Sequence, residues 1–405
     1  MSCLRIIIIF YTLFTYFLVE PADLNYMNTT IREYLSDTRH HDSKYSGYKN
    51  RTKEHIHDEF VRFGLKTEYD TFSVPSLSST AQFHTVIGVL KGTKFGTKDD
   101  AILGVGAHYD TVNTTKGVDE NGSGVAALLE VTRQITELNK NGTKRGNTII
   151  FVSFDLEEEN NYGSEHFIQK WLGKWLGKHY GSGVNPQGII ILDTLMNYNT
   201  TNSSQNLPQT YKDNFKETYE SIKSSGSRGD FLSLIFRKPT EDTKLANAFK
   251  TEWNNLGSLQ YKIELFPLPF TNVSSLNLTN SYTIFLTSDH VNFWKANLPA
   301  IMLSDTEDLR GIMKSCYLEA CDNLATMLTD DNINFLGKTA DATVMTIHKL
   351  SEPTSDPTTT PDPTTTPDPT TTPGDSSGGL SLGISITTTI IAAVVVWLRN
   401  QITFA

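Results

Sequence analysis

Histidine and acidic side chains follow several apolar segments of the chain, where together they could hold a metal ion. One segment ends in His108 and Asp110, a second runs into Glu157 and Glu158, and a third ends at Asp193. Carboxylates that crowd together repel each other, and burying them is costly unless a cation neutralises them. Imidazole and carboxylate groups are typical zinc ligands, and zinc polarises carbonyl groups and activates water. The residue types therefore predict a zinc site with hydrolytic chemistry.

A glycine-rich turn adds a further carboxylate. It reads Gly-Val-Asp-Glu-Asn-Gly-Ser-Gly over residues 117–124 and contains Asp119. We expect this turn to open a helix and to present Asp119 at the same site. Asp110 lies two residues after His108, so on an extended segment both side chains face the same way. Asp110 can therefore contact the ring nitrogen of His108 that does not bind the metal and so orient the imidazole ring.

The elements that position these residues follow from the alternation of short apolar segments and helical patterns. Strands are predicted at residues 101–107, 148–154, 188–192 and 299–303, and helices at 124–138 and 164–172. Nearly continuous apolar strands that alternate with helices predict an α/β fold: a single domain with a central mixed, mostly parallel sheet flanked by helices. Ligands of such sheets bind beyond the carboxyl ends of the strands, where the polar residues stand.

Charge and cysteine content narrow the class of protein. The chain has 405 residues, 35 Lys and Arg against 45 Asp and Glu, and a net charge of −10. It contains no basic run of five or more residues, which argues against a nucleic-acid partner. Three cysteines are too few for a disulfide scaffold. Cys3 lies in the leader, so Cys316 and Cys321 remain as a pair that can form a disulfide in an oxidising compartment.

Both ends of the chain indicate where the protein is located. Residues 1–22 are typical of a secretory signal peptide, with an uncleaved signal anchor as the alternative. Residues 23–351 form the catalytic body, and 352–379 form a Thr/Pro-rich stalk with three tandem Asp-Pro-Thr-Thr-Thr-Pro repeats. Residues 380–398 are a hydrophobic segment, either a membrane span or a lipid-anchor signal, and 399–405 are a short tail. We therefore expect a body tethered to the membrane on the extracellular face of the cell.

Glycan acceptor tripeptides agree with passage through the secretory pathway. They occur at Asn28, Asn50, Asn113, Asn121, Asn141, Asn199, Asn202, Asn272 and Asn277. Together with a signal peptide they predict a glycosylated surface, except at Asn121, which lies within the acidic turn.

The ordered motifs resemble metallopeptidase family twenty-eight, which contains secreted di-zinc aminopeptidases, glutamate carboxypeptidases and the related glutaminyl cyclases. The motifs are His-x-Asp at 108–110, Gly-x-Asp-x-Asn-x-Ser-Gly at 117–124, Glu-Glu-x-x-x-x-Gly-Ser at 157–164 and Leu-Asp at 192–193. The resemblance extends over roughly residues 83–328. It implies that His108 and Asp193 hold one zinc ion, that Asp119 bridges, and that Glu158 binds a second. It further implies that Glu157 is the general base, which takes a proton from water and returns it to the leaving amine.

A departure from the family pattern concerns the last metal ligand. In some members that ligand is the histidine of a Cys-Tyr-His-x-x-Cys-Asp motif, whereas this chain has Leu318 after Tyr317. Tyr317 is retained as a candidate for stabilising the transition state. Leucine cannot coordinate a metal, so the second zinc would keep fewer than the three protein ligands typical of a catalytic site. His290 and Glu319 are alternatives for the missing ligand. Otherwise the site holds one zinc ion, binds its second weakly or is inert.

Three functions follow from these observations. The first is a membrane-tethered zinc exopeptidase, an aminopeptidase that acts on extracellular peptides. The second is a receptor or adhesion protein with a peptidase fold, for which Leu318 is the main evidence. The third is a glutaminyl cyclase-like acyl transferase, which only the shared fold supports.

Overall fold

The structure, a computed structural model, describes residues 20–140, 143–181, 183–184, 186–273 and 282–355. The apolar part of the predicted signal peptide, the stalk beyond residue 355 and the hydrophobic segment at 380–398 lie outside these residues. Within the described ranges, no helix is long and apolar enough to cross a membrane. The domain boundaries at the two ends therefore stay predictions.

Eight strands form one twisted sheet within the described residues. In chain order they are β1 Lys66–Phe72, β2 Phe83–Leu90, β3 Leu103–His108, β5 Ile149–Phe154, β6 Gly188–Leu192, β7 Phe231–Arg237, β8 Lys262–Leu268 and β9 Ala300–Ser304. Two short strands, β4 Thr143–Arg145 and β10 Pro353–Ser355, pair separately. The order across the large sheet is β1-β2-β5-β3-β6-β9-β7-β8. Strands β5, β3, β6 and β9 run parallel to their neighbours in this block, whereas β1, β2 and the β7–β9 pairing are antiparallel.

Helices cover both faces of this sheet. The α-helices are α1 Leu24–Tyr34, α2 Ser46–Arg62, α3 Gly122–Lys140, α4 Tyr162–His166, α5 Gly173–Tyr180, α6 Gln209–Asn214, α7 Lys216–Ser224, α8 Asp242–Asn255, α9 His290–Lys295, α10 Met313–Cys316, α11 Leu324–Met327 and α12 Asp330–Leu350. A π-helical turn, Phe167–Leu172, joins α4 to α5. The predicted helix at 164–172 is thus part of a longer helical segment, and the predicted helix at 124–138 is the central part of α3.

The side chains of each buried strand divide between two hydrophobic cores. Leu103 and Val105 of β3 pack with helices α1, α2, α3, α8 and α12 on one face. Ile150 and Val152 of β5 belong to the other core, with the aromatic residues that follow α4 and with helices α6 and α7. Both faces are buried, so these strands read as continuous apolar runs, as the sequence indicated. The predicted α/β fold with a mixed sheet is confirmed.

A disulfide closes the loop that follows α10. Cys316 and Cys321 are bonded, as the sequence predicted for this pair. Asp322, the next residue, is buried, and its carboxylate accepts hydrogen bonds from the backbone N–H groups of Asp119 and Glu120 at 2.8 and 3.1 Å. The disulfide loop therefore holds the acidic turn in place.

Candidate metal centre

Four parallel strands end at one edge of the sheet, and each is followed by a polar side chain. His108 is the last residue of β3, and Asp155, Asp193 and Asp305 follow β5, β6 and β9. Because β3 lies between β5 and β6, His108 stands at the centre of this edge. This is the position where sheets of this kind bind their ligands.

Three carboxylates surround the Nε2 atom of His108. The nearest oxygens are those of Glu120 at 3.0 Å, Asp193 at 3.4 Å and Glu157 at 3.8 Å. His108, Glu157 and Asp193 each offer a ligand atom, and these atoms lie within 4.8 Å of one another. All four side chains are buried. The structure therefore brings His108, Asp193 and Glu157 together as the sequence predicted and adds Glu120.

Asp110 lies behind the imidazole ring, opposite the other carboxylates. Its Oδ1 is 3.5 Å from His108 Nδ1. The same carboxylate accepts the backbone N–H groups of Glu157 and Glu158 at 3.0 and 3.2 Å. Asp110 thus connects the ring to the Glu157–Glu158 loop, so that the distance between the histidine and the acidic residues is fixed.

Glu120, and not Asp119, is the residue of the acidic turn that contacts His108. The Oδ1 atom of Asp119 accepts the backbone N–H of Met196 at 2.8 Å, and its carboxyl lies beside that of Asp305. This corrects the placement expected from the sequence. The turn directs two adjacent carboxylates to different sides, and residue type alone does not distinguish them.

Glu158 lies at the edge of the cluster. Its Oε1 accepts the backbone N–H of Val112 at 3.2 Å, and its side chain is half-buried. Burial raises its pKa to about 7. It keeps one oxygen for a ligand, but it does not belong to the group of three candidate ligands around His108.

The electrostatics of the cluster indicate a cation. Burial raises the pKa values of Glu120 and Glu157 well above the ordinary range of a glutamate, and the neighbouring Asp193 raises them further. Burial alone would lower the pKa of His108, but the carboxylates of Glu157 and Asp193 hold it well above 6.5. The cluster is therefore a buried excess of acidic groups around one imidazole, which a divalent cation would neutralise.

The donor set fits zinc in its chemistry. One imidazole nitrogen and two or three carboxylate oxygens converge, and a carboxylate behind the histidine is the arrangement common to zinc sites. Asp193 Oδ1 is buried and faces His108 Nε2 at 3.4 Å, so a cation bound to both atoms would replace this contact. Zinc is accordingly the cofactor that these residues would hold.

A cavity of about 310 Å³ is lined by Glu307 and Tyr317, whose side chains interact electrostatically with Asp193 of the cluster. Its walls include Tyr211, Ile235, Phe285, Glu307 and Tyr317. Burial raises the pKa of Glu307 to about 8, its side chain hydrogen-bonds Tyr317, and Asp193 adds to the increase. Tyr317, the sequence candidate for transition-state stabilisation, thus lines this cavity and also interacts electrostatically with Glu120, Asp193 and Glu158.

The residues considered for a second metal ion are not brought together. Leu318 has a positive φ of 58°, and its carbonyl oxygen accepts the Thr114 hydroxyl at 2.7 Å. His290 is buried and its Nε2 donates to the Phe285 carbonyl at 2.9 Å. Glu319 is exposed. In the part of the chain that the structure describes, neither residue belongs to a group of three potential ligands, so neither replaces the histidine expected at position 318.

Asn121 has a structural role in the acidic turn. It is fully buried, its Nδ2 donates to Leu192 O at 2.8 Å, and its Oδ1 accepts the N–H groups of Gly124 and Thr194 at 3.0 and 3.2 Å. A Cβ atom on Gly124 would lie 2.2 Å from that same oxygen, which explains the glycine. These contacts bury the Asn121 amide, and its absence from the glycosylated positions stays a prediction.

The sheet and the helices on both of its faces define the fold class: an α/β protein with a mixed, mostly parallel sheet whose acidic cluster lies at the carboxyl ends of the parallel strands. The model of Peptidase family M28 matches residues 85–235, from β2 to β7. The resemblance to metallopeptidase family twenty-eight is thereby confirmed, and it supports a peptidase or a related hydrolase.

Sequence relatives agree with this family. The uncharacterized protein YfbL of Escherichia coli is 26% identical over 268 residues, which cover 64% of this chain and 69% of that protein. Aminopeptidase Y of Saccharomyces cerevisiae is 29% identical over 107 residues, or 26% of this chain and 18% of that protein. The probable lipoprotein aminopeptidase LpqL of Mycobacterium tuberculosis is 31% identical over 109 residues, or 27% of this chain and 21% of that protein. The chain thus matches only about a fifth of each named aminopeptidase.

Solved structures share the fold. The LapA aminopeptidase of Legionella pneumophila superposes with a TM-score of 0.53 at 14% identity, over 82% of this chain and 72% of that one. A glutaminyl cyclase of Bacteroides thetaiotaomicron superposes with a TM-score of 0.55 at 13% identity, over 82% of this chain and 99% of that one. At this level of identity the likeness concerns the fold, and the reaction must be inferred from the site.

Proposed function

We propose that the chain is an extracellular, membrane-tethered, zinc-dependent exopeptidase, an aminopeptidase that hydrolyses peptides. The observation that carries the proposal is the buried cluster in which Asp193, Glu120 and Glu157 surround His108 Nε2. Family membership supports a peptidase or related hydrolase, and the predicted leader, stalk and hydrophobic segment support the location.

In this proposal His108, Asp193 and Glu120 hold the zinc ion, with Glu158 near a second position. When bound, zinc supplies Lewis acidity that polarises the peptide carbonyl and acidifies water. Asp110 keeps the His108 ring oriented and supports the basicity of its Nε2 atom. These assignments place one carboxylate, that of Glu157, next to the ligands without requiring it as a ligand.

Glu157 is then the proton carrier. The Asn161 side chain donates to Glu157 Oε1 at 2.8 Å, which fixes the carboxylate and leaves Oε2 facing His108. Burial raises the pKa of Glu157, which makes it a stronger base than an exposed glutamate. It accepts a proton from the attacking water and delivers it to the leaving amine. In this proposal the Tyr317 hydroxyl exchanges its hydrogen bond with Glu307 for one to the oxyanion that develops on the former carbonyl oxygen.

The cavity next to the cluster supports a preference for apolar amino-terminal residues. Tyr211, Ile235 and Phe285 form an aromatic and aliphatic wall, while Glu307 supplies a carboxyl group. An apolar side chain fits the wall, and an acidic group near the cluster suits a free α-amino group. This combination is what an aminopeptidase requires of its substrate pocket.

A panel of aminoacyl chromogenic substrates, assayed together with zinc content, tests the function. We expect bound zinc and hydrolysis that is fastest for apolar residues and is abolished by a chelator, with restoration by added zinc. Bound zinc without turnover of any aminoacyl or peptide substrate would contradict the proposal and favour the receptor. Cyclisation of amino-terminal glutamine without peptide hydrolysis would favour the acyl transferase instead.

Position 318 gives a test of the number of zinc ions. Histidine is among the residue types that tolerate positive φ, so Leu318→His fits the backbone at least as well as leucine. We expect zinc stoichiometry at the acidic cluster to rise by one ion, because the new imidazole would join Glu158 and Glu120. Elemental analysis after dialysis measures this stoichiometry. Leu318→Asn is the control, because asparagine tolerates the positive φ at this position but adds no imidazole. Unchanged stoichiometry in Leu318→His would show that position 318 does not face the metal.

A further inference from the structure

A second group of potential metal ligands lies outside the cluster at the sheet edge. It consists of His40, His41 and Glu159, whose ligand atoms lie within 4.8 Å of one another. The two histidines come from the segment between α1 and α2, and Glu159 directly follows the Glu157–Glu158 pair. The function proposed above uses none of these three side chains. We propose that they form a separate zinc site.

The distances between the donor atoms already suit a zinc ion. Glu159 Oε1 lies 3.4 Å from His41 Nδ1 and 3.9 Å from His40 Nε2. Two ligand atoms at zinc bond lengths of about 2.0–2.1 Å and a tetrahedral angle are about 3.3 Å apart. Small side-chain rotations would therefore complete the site. Two imidazoles and one carboxylate leave a fourth position for water, as in other three-ligand zinc sites.

Asp42 lies beside both imidazole rings. Its Oδ2 lies 3.3 Å from His40 Nδ1, and its Oδ1 lies 4.0 Å from His41 Nε2. His40 Nδ1 also accepts the backbone N–H of Asp42 at 3.1 Å, which places the lone pair of this ring on Nδ1. Zinc binding at His40 Nε2 would move the ring proton to Nδ1, where the Asp42 carboxylate can accept it.

Hydrogen bonds from neighbouring buried residues hold both the histidine segment and the loop that leads to Glu159. Arg39, which is fully buried, donates to Tyr109 O at 2.6 Å and to Gly117 O at 2.7 Å and so anchors the histidine segment. Asp110 holds the backbone of the Glu157–Glu158 loop that leads to Glu159. A site assembled from anchored segments loses little conformational entropy when the metal binds.

The three side chains of the proposed site are mostly buried, but solvent can reach them from one side. The side chains of His40, His41 and Glu159 are 10%, 15% and 28% exposed. His40, His41 and Asp42 line a cavity of about 500 Å³, which gives a metal ion a path of entry. Zinc bound here would link the amino-terminal segment to the loop that carries Glu157 and would stabilise the folded chain by mass action.

Zinc binding to the purified full chain, without a histidine tag, tests the proposal. We expect Glu159→Gln and His41→Asn each to bind about one zinc ion fewer than the unmodified chain. We expect His57→Asn, which alters a histidine of α2 outside the cluster, to bind the same number. Equal stoichiometry in the unmodified chain and in Glu159→Gln at every free zinc concentration would overturn the proposal. An equal loss in the His57→Asn control would overturn it as well, because it would indicate unspecific binding by histidines.

A second measurement separates this site from the one at the sheet edge. A chain with His108→Ala and Asp193→Ala lacks the proposed catalytic ligands but retains His40, His41 and Glu159. Zinc should still raise its melting temperature, and the further change Glu159→Gln should remove that increase. If zinc has no effect on the chain with only the first two changes, or if its effect survives Glu159→Gln, the three residues do not form a zinc site. Neither result depends on whether the protein is a peptidase.

Discussion

Replacing Glu157 with glutamine should lower the turnover of an aminoacyl substrate by about 10²–10⁴-fold, the usual contribution of a general base. Glutamine has nearly the same shape and still accepts the Asn161 amide, but it cannot take a proton from water. Zinc content should not change, because His108, Asp193 and Glu120 remain as ligands. Steady-state kinetics and elemental analysis of the same preparations measure both quantities.

The zinc measurement in that experiment distinguishes two roles for Glu157. Its Oε2 lies 3.8 Å from His108 Nε2, close enough for Glu157 to be a ligand itself. Loss of zinc together with loss of turnover would assign it to the metal, and unimpaired turnover would exclude it as the base. Gln169→Ala, a change on the π-helical turn beyond α4, is the matched control and should leave turnover and zinc content unchanged.

The strand ends could be predicted because a parallel sheet leaves a clear pattern in the sequence. Strands buried on both faces are continuous apolar runs, and the first polar residue after each run marks its carboxyl end. His108 and Asp193 follow β3 and β6 in this way, and Glu157 and Glu158 follow β5 after a short turn. The parallel arrangement of the strands was therefore enough to predict that these side chains converge at one edge of the sheet.

The sequence pattern could not predict in the same way which of Asp119 and Glu120 contacts His108. Both are carboxylates, both are buried, and they stand next to each other in a turn that has no regular side-chain period. The direction of each side chain depends on the backbone of the turn, which Asp322 holds through two N–H groups. That contact joins residues about 200 positions apart, and a local pattern does not reveal it.

The group of His40, His41 and Glu159 escaped the sequence analysis for a related reason. The histidines stand in a short connection between two helices, and a pair of histidines in a loop has no pattern that indicates a ligand. In the sequence, Glu159 is the last residue of an acidic run. Its first two residues, Glu157 and Glu158, were already predicted to be the general base and a metal ligand. Contacts distant in sequence, such as those of Arg39 with Tyr109 and Gly117 and those of Asp110 with the Glu157–Glu158 loop, bring the two segments together.

Glu120→Gln and Asp119→Asn form a matched pair that decides which residue of the turn holds zinc. Removal of a residue that hydrogen-bonds a metal ligand typically lowers metal affinity about 10–100-fold. Removal of a ligand itself should lower the affinity further. We therefore expect Glu120→Gln to weaken zinc binding by at least about 100-fold. Asp119→Asn should leave zinc affinity unchanged, because the asparagine oxygen still accepts the Met196 N–H. Competition with a fluorescent chelator measures both affinities.

The environment of Asp119 strengthens this contrast. Burial and the adjacent Asp305 raise the pKa of Asp119 well above the ordinary range of an aspartate, which favours its neutral form. An amide has nearly the same shape as this carboxyl group and can donate a hydrogen bond to Asp305. If Asp119→Asn weakened zinc binding as strongly as Glu120→Gln, the turn would have to rearrange on metal binding so that both carboxylates reach the ion. Strong weakening by Asp119→Asn alone would restore the assignment that the sequence first indicated.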